Sequence, residues 1–130
     1  MKLHKTKLAL PPSDGISRRE GFPVFGPYPL NFVSSVVQPH TVGVYILSRD
    51  GRQAEYTGRS DSDLASRIWH SASVGSGYRH FWFDYASSPR QAYQYECTLF
   101  HHYRPPDNTI HPAIPAGTWW RCPVPTCPWG

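Results

Sequence analysis

The placement of proline constrains this chain more than any other feature of its sequence. Proline has no N–H to give to a ladder and clashes inside a helix, so regular structure concentrates where proline is scarce. Of 14 prolines, six precede residue 40 and seven follow residue 104, which leaves Pro89 alone between them. The window from 40 to 104 is therefore the expected folded unit. A chain of 130 residues has room for one domain with a modest core. Residues 1–39 read as a basic arm followed by a Pro-rich segment that packs on the domain through Phe22, Phe25, Tyr28 and Phe32. Within it, Asn31 to Val37 could add a short strand or a turn of helix. Residues 113–130 form a tail containing Pro, Trp and Cys.

Net charge is +4, and its placement matters more than its size. Lys2, His4, Lys5 and Lys7 form a short basic arm, which suits either phosphate contact or a solvated terminus. Between residues 40 and 104, seven arginines face six acids, so the folded window is nearly balanced. No segment approaches the roughly 18 apolar residues of a membrane span, and Leu8-Ala9-Leu10 is cut short by Pro11-Pro12. Three cysteines do not make a disulfide framework, so a reducing cytoplasm is the expected compartment, although a protein exported without a cleaved signal would read the same.

Inside the window, Val42, Val44 and Ile46 alternate with Gly43, Tyr45 and Leu47, the period of a strand with one face on a core. Asp50-Gly51 predicts a two-residue type I′ hairpin loop. That loop pairs Arg49 with Arg52 and sets Tyr45 directly opposite Tyr56, with both hydroxyls exposed on a face left open by Gly43 and Gly58. Ser60 and Asp61 are the expected caps of a first helix whose buried stripe is Leu64, Ala65, Ile68 and Trp69. Arg67 flanks that stripe and can lean toward the tyrosines. A third strand is expected over residues 78–86, with Phe81, Phe83 and Tyr85 on one face and Trp82 on the other. A second helix opens on Ser88, Pro89 and Gln91 and stops before Pro105-Pro106. The expected fold is α/β (α+β), a small three-stranded antiparallel sheet flanked by helices.

On the second helix Ala92, Glu96, Leu99 and Tyr103 share one face. A carboxylate in an apolar stripe is costly unless it has a partner, a metal or a shifted pKa.

Gly43-Val44-Tyr45 and Tyr56-Thr57-Gly58 resemble the two signature tripeptides of the GIY-YIG nucleases, and Arg67, Glu96 and Asn108 follow in the family's order. The resemblance covers roughly residues 40–112. It implies a metal-dependent endonuclease that hydrolyses phosphodiesters of nucleic acid, with DNA favoured over RNA. Glu96 would be the single protein ligand of Mg²⁺ or Mn²⁺, and Arg67 would hold the scissile phosphate with a forked geometry that lysine lacks. Tyr45 would act as general base or water-orienting group, Tyr56 would position phosphate or water, and Asn108 would hold the site together. Arg59 and Gly58 are the expected phosphate or nucleic-acid contacts, and Arg59 could also supply a cation that lowers a phenol pKa. Many members carry His or Tyr four residues after the helix arginine. Here Ser71 stands there and His70 precedes it, so His70 is either catalytic from the adjacent position or an ordinary histidine. The alternative function is a nucleic-acid-binding module that keeps the fold and lacks turnover. No helix-turn-helix or zinc finger is recognisable, which points to non-specific, structure-selective or partner-directed cleavage.

Cys122 and Cys127 are compatible with half of a zinc site, for which His111 and Cys97 are the nearby candidates. Cys97 is expected instead to pack as a small hydrophobe. Trp119 and Trp120 are expected to fold onto the domain or to offer a stacking surface. His80, His101 and His102 read as surface or satisfied core residues.

Overall fold

The alternating apolar residues of 43–48 and 80–85 form the two central strands of a four-stranded antiparallel sheet in the computed structural model, which describes residues 25–73, 76–125 and 127. The basic arm at Lys2, His4, Lys5 and Lys7, and Phe22, lie outside the described residues. In chain order the strands are β1 (Phe25–Pro29), β2 (Gly43–Ser48), β3 (Tyr56–Ser60) and β4 (His80–Tyr85). The helices are α1 (Val33–Val36), which follows a 3-10 turn at Leu30–Phe32, α2 (Leu64–Ala72) and α3 (Pro89–Tyr103). Spatial order in the sheet is β1-β4-β2-β3. A fourth strand therefore joins the three expected ones, and it comes from the Pro-rich segment. Pro27 and Pro29 are tolerated there because β1 is an edge strand and proline need not donate toward solvent.

Helices cover both faces. Toward α1 and α2 the sheet turns Tyr28, Tyr45, Leu47, Phe81 and Phe83, which pack with Val33, Leu64 and Ile68. Toward α3 it turns Val44, Ile46 and Trp82, which pack with Ala92 and Leu99. The split of β4 into Phe81, Phe83 and Tyr85 against Trp82 is the one its alternation predicts.

The β2–β3 connection differs from the two-residue turn. Residues 49–55 form a longer loop, and the register pairs Leu47 with Tyr56 and Tyr45 with Gly58. Gly51 has a positive φ of 77°, whereas Asp50 is not left-handed as a type I′ turn requires. Its carboxylate instead accepts hydrogen bonds from the N–H groups of Arg52 (2.8 Å) and Gln53 (3.0 Å) and from the Ser48 hydroxyl (3.0 Å). An aspartate that caps its own loop competes with the tight hairpin and here wins.

The cap of α2 is Asp63, which accepts from the Ser66 N–H at 3.5 Å, and not Ser60 or Asp61. Ser60 organises the turn before it, accepting from the N–H groups of Ser62 and Asp63. The buried stripe of α2 is Leu64, Ile68 and Ala72, and Trp69 is 53% exposed. Helix α3 starts as its sequence dictates: Ser88 accepts from the Gln91 N–H, and the Gln91 side chain accepts from the Ser87 N–H. It ends at Arg104, whose left-handed φ of 46° turns the chain out of the helix. No helix among the described residues is long and apolar enough to cross a membrane.

Candidate active site

The site lies at the open edge of the sheet, along β3. Tyr56 and Gly58 face α2 while Thr57 and Arg59 face α3, so this one strand meets side chains arriving from both layers. Arg67 comes from α2 and Glu96 from α3. Together with Tyr45, Tyr56, Gly58 and Arg59 they line a cavity of about 320 Å³, to which Ser60, Asp61, Ser62 and Ala113 also contribute.

Tyr45 is only 2% exposed, so the pair of uncovered phenols expected from the sequence is not found. Its partner across the strand is Gly58 rather than Tyr56, and its ring lies over the space that a side chain at 58 would fill. A Cβ at Gly58 would stand 2.5 Å from the Tyr45 oxygen and 2.6 Å from the ring carbon that bears it. Gly58 is thus needed to let the phenol reach the strand edge. Tyr56 sits diagonally on the same face, with ring centroids 6.3 Å apart. The Tyr45 hydroxyl hydrogen-bonds the Ser71 hydroxyl at 2.7 Å. Burial pushes the Tyr45 phenol well above its ordinary pKa, outweighing the Ser71 bond and the Arg67 charge that pull it down. Burial and the Glu96 charge raise Tyr56 as well.

Glu96 is 7% exposed, as its place in the apolar stripe implies, and its partner is an arginine. Arg59 Nη1 donates to Glu96 Oε1 at 2.6 Å, its Nε reaches Asp61 at 3.3 Å, and its Nη2 donates to the Ala113 carbonyl at 3.2 Å. The guanidinium also lies over the Tyr93 ring, 5.3 Å from its centroid. Arg59 is therefore spent on the protein itself. Arg67 is exposed and has no carboxylate within ion-pair distance among the described residues. Burial raises the Glu96 carboxyl above its ordinary value, against the opposing pull of Arg59 and Arg67.

Asn108 stands outside the cavity and clamps the strand that builds it. Its side chain accepts from the Thr57 N–H (2.8 Å) and donates to the Thr57 carbonyl (3.0 Å). It thereby fills the hydrogen bonds that an edge strand leaves open. His70 is exposed and lines no part of the cavity, while Ser71 holds Tyr45. Ser71, at the position where many members of the GIY-YIG family carry His or Tyr, and Asp61, expected only as a helix cap, join the site, and the Ala113 carbonyl does so without a sequence signal of its own.

No protein-family model, curated protein or solved structure matches this chain.

Among the described residues, two places could hold a metal. Glu96 offers one carboxylate in a cavity with a free-standing guanidinium and two phenols. That donor set fits a cation that keeps most of its waters, provided Arg59 gives up Oε1. Separately, Cys122 and Cys127 lie beside His111 and His101. The fourth member is His101, read from the sequence as a surface or satisfied residue. Cys97 is fully buried among Tyr93, Cys122 and Cys127, packed as a small hydrophobe.

Proposed function

We propose that this chain is a metal-dependent endonuclease of the GIY-YIG type, hydrolysing phosphodiester bonds of nucleic acid, DNA in preference to RNA, in the cytoplasm. The observation that carries the reading is convergence. Tyr45, Tyr56, Arg67 and Glu96 come from four different elements and line one cavity, with Asn108 pinning the strand between them.

Arg67 presents its forked donors to a phosphate and stabilises the charge that develops on it. Tyr56 donates a hydrogen bond to the phosphate or to the attacking water. Tyr45 keeps its proton at neutral pH because burial raises its pKa, so it orients water rather than abstracting a proton. Glu96 would hold Mg²⁺ or Mn²⁺, which supplies Lewis-acid polarisation of the phosphate and acidification of water. With Glu96 so engaged, Arg59 would keep its bonds to Asp61 and the Ala113 carbonyl and could turn the freed Nη1 to the nucleic-acid backbone beside Gly58. His70, exposed on α2, can contact the backbone but not the reacting atoms.

One observation favours the second reading, a binding module without turnover: the Arg59–Glu96 pair neutralises the only acid on the α3 wall of the cavity. Incubation of plasmid and of RNA with Mg²⁺ or Mn²⁺ separates the two. The nuclease cleaves, and Arg67→Ala loses cleavage. The module binds either nucleic acid at low salt and leaves it intact.

A further inference from the structure

The tail returns to the C-terminal end of α3 and gathers four metal-ligand side chains that the candidate active site does not use. One ligand atom from each of His101, His111, Cys122 and Cys127 lies within 4.8 Å of the others. The Cys127 sulfur is 3.4 Å from His111 Nε2. A tetrahedral zinc with bonds of about 2.3 Å to sulfur and about 2.0 to 2.1 Å to nitrogen would space those atoms about 3.6 Å apart.

The orientation of the rings supports ligation. His111 Nδ1 lies 2.9 Å from the Pro112 carbonyl. A carbonyl can only accept, so Nδ1 carries the proton and Nε2 turns its lone pair to the Cys127 sulfur. A ligating histidine is fixed in the same way, by donating its other N–H to a backbone carbonyl. His101 stands beside it with ring centroids 5.2 Å apart, and its Nε2 is buried with no hydrogen-bond partner among the described residues. Between the cysteines, the Cys127 N–H donates to the Val124 carbonyl at 3.1 Å. That turn holds the two sulfurs side by side, and none of the three cysteines forms a disulfide.

We propose that His101, His111, Cys122 and Cys127 form a structural Zn²⁺ site that clasps the tail to α3. Four protein ligands leave no open position for substrate, which is the mark of a structural rather than a catalytic centre. Each thiol releases its proton to solvent on binding. Two thiolates and two neutral imidazoles then leave the buried zinc centre with no net charge. The clasp also reaches the candidate active site. Ala113, two residues after His111, accepts from Arg59, and Trp120, two residues before Cys122, packs against the Tyr93 ring beneath Arg59.

The test is metal analysis of the full-length chain purified under reducing conditions from zinc-supplemented medium, with Co²⁺ titration of the metal-stripped protein. About one zinc per chain is expected, together with the intense visible bands of tetrahedral thiolate-bound Co²⁺. Cys122→Ser and His101→Ala should lose both signals, whereas Glu96→Ala and Cys97→Ser should keep them. Because a ligand-deleted chain can fail to fold, His101→Cys provides the complementary variant. It should retain one zinc and strengthen the sulfur-to-Co²⁺ charge-transfer band. Absence of stoichiometric zinc together with absence of tetrahedral Co²⁺ bands overturns the proposal. So does zinc that leaves with Glu96→Ala and stays with Cys122→Ser.

Discussion

Substituting Gly58 by alanine tests the packing that holds Tyr45 against β3, because it adds one methyl group and removes no hydrogen-bonding side chain. The new methyl would stand 2.5 Å from the Tyr45 oxygen and 2.6 Å from the adjacent ring carbon. A phenol is rigid beyond its second torsion, and this one is buried between the sheet and α2, so the whole ring must swing. Overpacking a core costs about 1 to 3 kcal/mol. Displacing the ring also breaks the 2.7 Å bond to Ser71, adding about 1 kcal/mol. The expected destabilisation is therefore about 2 to 4 kcal/mol. For a domain of this size that is a fall in Tm of roughly 6 to 15 °C. Thermal unfolding followed by circular dichroism measures it. Ser71→Ala is the comparison: it removes the bond and adds no atoms, so its loss should be about 1 kcal/mol. If Gly58→Ala unfolds at the wild-type temperature, the close approach of Tyr45 to β3 is wrong, and the placement of the phenol in the cavity is wrong with it.

Arg59→Ala leaves Glu96 buried without its partner, and a loss on the order of 3 kcal/mol is expected near neutral pH. The sign of its pH dependence follows. Removing the cation raises the Glu96 pKa further, so the neutral acid fits the folded state better and the deficit should shrink as pH falls; denaturant titrations at several pH values check this. Asn108→Ala opens the Thr57 N–H and carbonyl on the β3 edge, and about 1 to 3 kcal/mol should be lost in urea unfolding. At limiting Mn²⁺, where proton and metal compete for Glu96, cleavage should fall on the acid side with an apparent pKa above the roughly 4.3 of a solvated glutamate, because burial raises Glu96, and added Mn²⁺ should move it down; pH–rate profiles at two metal concentrations measure this.

Much of the fold is legible from local chemistry. Ser88, Pro89 and Gln91 set the start of α3, and the alternation of Phe81, Trp82 and Phe83 divides β4 between two cores. What sequence reasoning missed depended on competition or on distance. The Asp50 carboxylate displaced the tight hairpin, which moved the register so that Tyr45 faces Gly58. Pro27 and Pro29 disguised β1, because proline argues against a strand except at an edge, and edge position is a property of the whole sheet. Trp69 looked like core from its helical spacing, yet the buried stripe is Leu64, Ile68 and Ala72, and Trp69 lies beside it in solvent.

The residues of the site divide in the same manner. Glu96 stood out because an acid in an apolar stripe is anomalous by itself. That its partner would be Arg59 was less visible, since the two are separated by an entire strand and helix. Ala113 contributes a backbone carbonyl, which no residue type announces. His101 and Cys127 meet only because the tail doubles back, a contact with no local spacing to reveal it.

The central claim, that Glu96 and its cavity hydrolyse nucleic acid, is tested most directly by Mn²⁺-dependent plasmid cleavage with wild-type protein and with Glu96→Gln, which keeps the shape of the side chain and removes its charge. Wild type should cleave, and the variant should be slower by at least about 10²-fold while binding DNA at low salt as before. Equal cleavage by the two proteins, or no cleavage of DNA or RNA by wild type in either Mg²⁺ or Mn²⁺, would contradict it.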